Sequence, residues 1–401
     1  MESTTITAIR LYEIHGKAPA GEPREERIAG PLDVYPDVAA EDHRRTWKPA
    51  PGQTQDVPAL FLQIETDAVA GESYVVQSLA QHLRALAPLI LKRLKPQLVG
   101  QDALRGQWLW DRLYLGLTGE RDRMNMLVLA AIDAALWDIR GKCFGAPAYR
   151  LLGGPTRDSI PAYASALSHS HEPEKVHQRA REFVARGYKA QKWFFRYGAG
   201  AGREGMEKNL QLVRSVRQAV GDGIAIMFDA HMSWDVPYAL EMARRMAPYD
   251  VKWLEEPVLP ERLDLYAQIR RKSPVPIAGG EQLRSLSQFH EALRSGAVDY
   301  IQPDVNWIGG ITHALKVCAL ASAYEVPVCP HDCYPTHVQV LAAQPPNAAP
   351  LAEHVIHFQP VHHFWLKQPV TVKDGAVCLP QTPGAGMEID ERKVERKQEL
   401  A

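Results

Sequence analysis

The fold is decided by three short apolar runs that each end in an acid: IAIMFD (224–229), VKWLEE (251–256) and PVPIAGGE (274–281). Asp229, Glu255 and Glu281 follow one another at intervals of 26 residues. That interval is about the length of one strand, helix and loop in a (β/α) barrel. We therefore expect each acid at the carboxyl end of a barrel strand, where such barrels place their chemistry.

These acids predict a metal site. Any single one of them could be a solvated loop residue or a helix N-cap. Three carboxylates that converge on one point repel one another unless a cation lies among them, and an all-oxygen ligand set favours a hard ion. We therefore predict that Asp229, Glu255 and Glu281 bind Mg²⁺.

Five further runs of the same kind surround these three, with amphipathic helical segments between them. They are IPAYAS (160–165), YKAQKWFF (188–195), YIQPD (300–304), VPVCPH (326–331) and LAEHVI (351–356). Eight strands that alternate with helices indicate a closed parallel barrel. We predict an α/β fold with a (β/α)7β TIM-like barrel over residues 126–370.

The residues before the barrel read as an α+β capping domain, residues 1–125. Strands are predicted at 4–13 and 58–66, and a long Pro- and charge-rich lid loop at about 16–57. Helical patterns follow at about 78–95, 101–115 and 124–145. The tail, residues 371–401, contains the strand-like segment TVKDGAVCL and is predicted to pack back on the capping domain.

The helix predicted at 124–145 has one apolar stripe. Leu129, Ile132, Leu136 and Ile139 recur at helical intervals, and Asp133, Asp138 and Arg140 lie off that stripe. This pattern is typical of a helix with one buried face.

Composition limits the classes of partner. A net charge of −1 and the lack of a basic block give no reason to expect nucleic acid or a membrane, so the expected partner is a small molecule. No apolar run approaches the roughly 20 residues that cross a bilayer, and the N-terminus lacks a signal-peptide core, so we expect a cytoplasmic protein. Five scattered cysteines fit reduced thiols, and zinc at Cys329 and Cys333 would need a second ligand pair.

Four more residues of the predicted strands complete a catalytic constellation. Asp304 and His331 close neighbouring strands, where a carboxylate can orient an imidazole and raise its basicity, which makes His331 a candidate general base. Lys192 and Glu353, on the second and eighth strands, would face an enediolate that develops on a substrate carboxylate. Together these groups suit removal of a proton α to a carboxylate.

At this point the chain resembles the enolase superfamily, in its mandelate racemase-like branch. The resemblance rests on AALWDIRGK (134–142), LLGG (151–154), the three acids, and the Asp304–His331 pair. It implies an N-terminal capping domain whose loops close over the barrel mouth, Mg²⁺, an enediolate intermediate and a homo-oligomer.

One departure from that branch indicates the type of reaction. Racemases of the branch carry Lys-x-Lys on the second strand, whereas this chain has Lys192-Trp193-Phe194. Without the second lysine, a base on the opposite face of the substrate is missing. We therefore predict a dehydratase that converts a sugar acid, an aldonate or aldarate such as L-rhamnonate, into a 2-keto-3-deoxy acid. Side chains assigned to substrate binding are Arg45, Trp47, Phe194, Arg196 and His231.

Three other functions stay open on the sequence. A racemase or epimerase of a 2-hydroxy or amino acid would use the same base. A non-catalytic sugar-acid binding protein would keep the fold alone. An amidohydrolase-type metal hydrolase is suggested by His169-Ser170-His171, but the acids on the later strands do not fit its ligand set.

Overall fold

The computed structural model of the protein describes residues 4–20, 24–35, 37, 52–76 and 83–401. The strands of these residues form three sheets, one of them large and mostly parallel. Within the same ranges, no helix combines the length and the apolar character that a membrane span requires.

The described residues of the first part of the chain contain five strands. They are β1 (Ile6–His15), β2 (Lys17–Pro19), β3 (Thr54–Asp56), β4 (Ala59–Thr66) and β5 (Ala70–Val76). β1, β4 and β5 form an antiparallel sheet, and β2 pairs with β3 in a separate ribbon. The predicted lid loop, about 16–57, is therefore not without structure where it is described: β2 and β3 extend from β1 and β4, and Pro31–Val34 forms a 3₁₀ helix.

Helices follow this sheet and connect it to the rest of the chain. They are Leu83–Pro88, the π-helical turn Leu89–Leu94, Lys95–Leu98, Gly106–Gly116, Arg123–Cys143 and Ala148–Leu151. Asp122 caps the long helix by accepting a hydrogen bond from the Asn125 amide, which satisfies one of the free N–H groups of its first turn.

The helix Arg123–Cys143 is buried on more than one face. Its predicted stripe packs in the core of the first domain against the sheet residues Leu11 and Leu62. Asp133 and Asp138, although off that stripe, are each only 1% exposed. Asp133 accepts hydrogen bonds from the amide (3.0 Å) and hydroxyl (2.6 Å) of Thr312, at the start of a helix in the second domain. The polar side of the helix is thus covered by the second domain at Asp133, and at Asp138 by the amides of Glu72 on β5 and Ala385 in the tail.

The second part of the chain alternates strands and helices. Its strands are β6 (Ser159–Ala166), β7 (Ala190–Phe194), β8 (Ala225–Asp229), β9 (Val251–Glu255), β10 (Ile277–Gly279), β11 (Tyr300–Ile301) and β12 (Ala352–Val355). Its helices are Pro173–Ala185, Gly202–Val220, Val236–Met246, Leu263–Lys272, Leu286–Arg294, Ile311–Ala323, Pro335–Ala342 and Gln359–His362.

The parallel strands neighbour one another in chain order. β6 to β11 form one continuous run, and β12 pairs in parallel with β6, so the last strand lies beside the first. The predicted seventh strand is reduced to a parallel bridge between Ile301 and Val328. The Val328 amide then donates to the Ala348 carbonyl at 2.8 Å, on the way to β12.

The alternation of side chains along these strands positions the acids. Met227 and Trp253 lie in a small inner cluster, whereas Phe228 and Leu254 pack outward in the core with the helices. Successive residues of a strand face opposite sides. Asp229 and Glu255, two residues beyond Met227 and Trp253, therefore face the inner side.

The tail returns to both domains. β13 (Val372–Lys373) and β14 (Ala376–Cys378) form a hairpin whose second strand pairs antiparallel with β6, in the second domain. The last strand, β15 (Arg396–Glu399), pairs with β1 at the edge of the first sheet. The TVKDGAVCL segment thus lies against β6, and only the end of the chain extends the first sheet.

Gly71 on β5 can be used to test how closely the first sheet packs against the helix Arg123–Cys143. A Cβ atom at Gly71 would lie 2.2 Å from the Ala135 carbonyl oxygen. We expect Gly71→Ala to reduce the free energy of unfolding by about 1–3 kcal/mol, because the sheet and helix must separate to admit the methyl group. Urea unfolding measures this change.

The control is Gly223→Ala, where a Cβ meets no atom within 4 Å. Equal unfolding midpoints for the two variants would contradict the close approach at Gly71.

Candidate active site

The predicted strand-end residues meet at the carboxyl edge of the parallel sheet. Asp229 and Glu255 end β8 and β9 and are paired in register. Phe194, the last residue of β7, is in register with Asp229. Glu281 lies two residues beyond β10 and is 8% exposed.

Lys192 is the centre of this group of acids. Its side chain is 1% exposed, and its ammonium lies 2.9 Å from Glu353 Oε1 and 3.6 Å from Asp229 Oδ2. It also forms a short ion pair with Glu255 Oε1. The second Glu255 oxygen accepts hydrogen bonds from Trp253 Nε1 and Gln302 Nε2, both at 2.8 Å. Glu255 is thus fully engaged by the protein's own donors.

In this group, burial and the neighbouring charges shift the pKa of each side chain in opposite directions. Burial would lower the pKa of Lys192, but the carboxylates of Glu255 and Glu353 raise it well above its ordinary value. Burial raises the pKa of Glu255 to about 8 and that of Asp229 to about 6, with Lys192 opposing both shifts. The ammonium therefore limits the rise in the pKa of Glu255 and Asp229, and against the effect of burial it helps to lower the pKa of Glu353.

The predicted dyad forms as expected from its position. His331 Nδ1 lies 2.8 Å from Asp304 Oδ2, and the other Asp304 oxygen accepts from the amides of Asn306 (2.8 Å) and Trp307 (3.1 Å). Although burial would raise it, the pKa of Asp304 is lowered to about 2 by its hydrogen bonds to His331 and His337. An ionised Asp304 only accepts, so Nδ1 of His331 carries hydrogen. His331 Nε2 points toward Glu281 Oε2, at 3.5 Å.

Two residues beside the dyad were not found from the sequence. The ring of Trp307 lies against that of His331, with 4.7 Å between centroids, and the guanidinium of Arg123 lies 3.8 Å from the centroid of Trp307. Arg123 begins the long helix of the first domain. A side chain of that domain thus supports the imidazole through an indole, a contact for which a single arginine or tryptophan in a sequence gives no signal.

Glu353 is fixed from two sides. One oxygen pairs with Lys192, and the other accepts the Asp332 amide at 2.9 Å. Asp332 has a left-handed backbone with φ of 63° and pairs with His362 at 3.1 Å. Asp332, the residue after His331, therefore orients the Glu353 carboxylate.

The residues assigned to substrate binding lie in several places. Phe194 is buried, with the Lys192 ammonium 5.1 Å from its ring centroid. Arg196 pairs with Glu26 at 2.8 Å, and His231 Nδ1 lies 3.0 Å from the Ala29 carbonyl. Both contacts tie the segment 24–35 to the strand ends. Arg45 and Trp47 lie outside the described residues.

The acids have the chemistry of a Mg²⁺ site, although their side chains are not gathered around one point. Among the described residues, no three His, Cys, Asp or Glu side chains converge closely enough to hold a metal ion in this arrangement. The Lys192 ammonium draws Asp229 and Glu255 toward itself instead. All the donors are carboxylate oxygens, and both oxygens of the buried Glu256 lack a hydrogen-bond partner within the described ranges. A hard divalent cation fits this donor set.

The histidines and cysteines of the rival hypotheses lie in apolar surroundings. Burial lowers the pKa of His169 to about 3, and the His169 ring packs edge-on against Phe183. Burial raises the pKa of the Cys329 thiol to about 12. Thiolate is the form that binds zinc, so this environment disfavours a zinc site there.

Two family profiles match the chain. The family described as "Enolase C-terminal domain-like" matches residues 175–393, and the one described as "Mandelate racemase / muconate lactonizing enzyme, N-terminal domain" matches residues 38–153. The two matches follow the predicted order of an N-terminal and then a C-terminal domain.

Individual relatives cover most of the chain. It is 34% identical over 310 residues to a D-galactarolactone cycloisomerase of Agrobacterium fabrum, covering 73% of this chain and 80% of the relative. It is 33% identical over 377 residues to an L-rhamnonate dehydratase of Saccharopolyspora erythraea, covering 91% and 90%. A solved rhamnonate dehydratase from Gibberella zeae, complexed with Mg, superposes with a TM-score of 0.82 at 27% identity, covering 98% and 96%.

The role of the Lys192 charge can be tested by Lys192→Met. Without the ammonium, the neighbouring carboxyl groups stay buried but no longer have a positive charge beside them, so their pKa values rise further. A carboxyl group whose pKa is raised by folding stabilises the folded state only at low pH, where it is protonated. That stabilisation is lost as the pH rises through the folded-state pKa. We expect a loss of about 3–5 kcal/mol at about pH 8 and a smaller loss at about pH 5.

Urea unfolding in EDTA at both pH values measures this difference. Lys189→Met is the matched control, because Lys189 is exposed and immediately precedes β7, the strand that carries Lys192. A Lys192→Met deficit that does not change with pH would rule out the proposed charge balance.

Proposed function

The chain belongs to the mandelate racemase/muconate lactonizing enzyme family of the enolase superfamily, and from this premise we propose that it is a Mg²⁺-dependent sugar-acid dehydratase. The predicted family is confirmed by the profile matches, and with it the prediction of an enzyme. The observation that carries the proposal is the His331–Asp304 pair facing Lys192 and the acids across one strand edge. Relatives named as dehydratases of rhamnonate, gluconate and galactonate support the reaction type.

We infer that the parallel strands close into the (β/α)7β barrel of this family. The circular order of the strands, with β12 beside β6, supports closure. The capping domain would comprise residues 1–125, the barrel 126–370 and the tail 371–401. The pairing of β15 with β1 supports a tail that ends on the capping domain.

Asp229, Glu255 and Glu281 would hold the Mg²⁺ ion. When bound, the ion supplies Lewis-acid stabilisation of negative charge on a substrate carboxylate. For this to happen, Asp229 and Glu255 must turn from the Lys192 ammonium toward the ion. Lys192 is then free to donate to the substrate carboxylate, where its charge opposes the charge that develops as the proton leaves. Glu353, held by the Asp332 amide, would donate a hydrogen bond to the same carboxylate in its protonated form, which the Lys192 ammonium opposes while it is paired with Glu353.

His331 would act as the general base. Its Nε2 takes the proton from C2 of the sugar acid, and the electron pair of the C–H bond passes into the carboxylate to give an enediolate. Asp304 stabilises the imidazolium that forms. The imidazolium then returns the proton to the C3 hydroxyl, which leaves as water in a syn elimination. The resulting enol becomes a 2-keto-3-deoxy acid, so one water is lost and no redox change occurs.

Phe194 supports dehydration over racemisation. A 1,1-proton transfer needs a second base on the opposite face of the substrate, and this strand position holds an aromatic ring beside Lys192. Arg196 and His231 would line the pocket with Phe194 and, from the lid, Arg45 and Trp47. The aromatic ring suits the apolar face of a sugar such as L-rhamnonate. A homo-oligomer is part of the same proposal.

A ring-opening isomerisation is the second candidate, because a relative at 34% identity is named a cycloisomerase. The same base could expel a ring oxygen in place of a hydroxyl, and the leaving group would then stay attached. Product mass separates the two reactions: dehydration removes one water, and isomerisation leaves the mass unchanged.

Purified protein with Mg²⁺, incubated with a library of monoacid and diacid sugars and their lactones, tests the proposal. We expect a 2-keto product, detected with a carbonyl reagent, that is lighter than its substrate by one water and is abolished by EDTA. A keto product of unchanged mass would favour the isomerase. Solvent deuterium that enters recovered substrate without any keto product would indicate an epimerase.

His331→Asn tests the base. We expect kcat to fall by about 10²- to 10⁴-fold, because proton transfer loses its acceptor. Substrate binding, measured by calorimetry, should persist. Unchanged kcat would contradict the assignment of His331.

A further inference from the structure

Glu256, the residue that follows β9, is an acid that the reaction above does not use. Its side chain is 1% exposed, and both of its Oε atoms are buried without a hydrogen-bond partner in the part of the chain that is described. The adjacent Glu255 is equally buried, but both of its oxygens have partners. Its oxygens are engaged by Lys192, Trp253 and Gln302.

A buried carboxylate without hydrogen-bond partners destabilises the folded state. Removing an ionised group from water without a partner costs several kcal/mol. Protonation would remove the charge, but it would add an O–H donor that also lacks an acceptor. Neither form of Glu256 is satisfied by the described protein atoms.

The backbone holds Glu256 in this position. Its φ is 40°, in the left-handed region that an ordinary side chain adopts at a cost, and Pro257 follows it. Its amide donates to the Ala278 carbonyl at 3.1 Å, and its carbonyl accepts from the Met232 amide at 2.6 Å. Two neighbouring strand ends thus fix an unfavourable conformation, which is common where a residue serves a site.

The charges around Glu256 indicate what would satisfy it. Its electrostatic neighbours include the carboxylates of Glu281, Asp229 and Glu255 and two cationic groups, the His331 ring and the Arg284 guanidinium. A divalent cation is the chemical species that four such acids can share. We propose that Glu256 is a fourth carboxylate of the metal site and contributes directly to its affinity for divalent cations. This inference rests on the proposed function, because it deepens the metal site assigned there.

The test compares Mn²⁺ binding to wild type, Glu256→Gln and Glu261→Gln, measured by electron paramagnetic resonance on metal-free protein without substrate. Glu261 is an exposed glutamate in the same loop, so it controls for the loss of one negative charge. We expect Glu256→Gln to weaken Mn²⁺ binding by about 10- to 100-fold or more. Glu261→Gln should match wild type. Equal affinity in all three proteins would overturn the inference.

Thermal unfolding gives a second readout that separates a metal role from a structural one. Because Gln removes an unpaired acid, metal-free Glu256→Gln should unfold at the wild-type temperature or above, and its gain on adding Mn²⁺ should shrink. A lower metal-free midpoint with an undiminished gain would show a structural role and overturn the inference.

A further variant covers the case in which Glu256→Gln does not fold. Glu256→Asp keeps the charge but withdraws it by one methylene, so its Mn²⁺ affinity should fall, and a wild-type affinity would again overturn the inference. Failure of wild type itself to bind Mn²⁺ would instead remove the proposed metal-dependent function.

Discussion

The buried ion pairs of Lys192 are the interaction on which the rest of the site depends. An ammonium that is 1% exposed stands among Asp229, Glu255 and Glu353. Without it, like charges at this edge would repel one another and take up protons. The parallel register places these acids side by side. The positive charge of the lysine reduces the repulsion between them when no metal or substrate is bound. A positive charge is also what an enediolate requires, so the same group serves stability and chemistry.

The two domains meet through polar contacts that continue into the dyad. Asp133 of the long helix caps the helix that begins near Thr312, and burial raises the pKa of Asp133 to about 7. From the same helix, Arg123 covers Trp307, which lies against His331. The base is therefore held by its own strand, by Asp304, and by a side chain of the first domain. A change at the domain interface should reach the imidazole through this stack.

Local patterns in the sequence predicted most of the parallel strands and the positions of the strand-end acids. The His331–Asp304 contact followed from strand order alone. Other features depend on contacts between distant segments or on backbone conformation, and the sequence carries no local signal for them. The pairing of β14 with β6, the support of His331 by Trp307, and the left-handed Glu256 are of this kind. The buried Asp133 and Asp138 were missed because amphipathic periodicity assumes that one helix face meets water.

A crystal structure of the protein with Mg²⁺ and a non-reactive sugar acid would test the central claim most directly. The account predicts Mg²⁺ at the carboxylates of Asp229, Glu255 and Glu281. It also predicts that Lys192 turns to the ligand carboxylate and that His331 Nε2 faces C2. Mg²⁺ elsewhere, or a ligand carboxylate remote from Lys192, would contradict it.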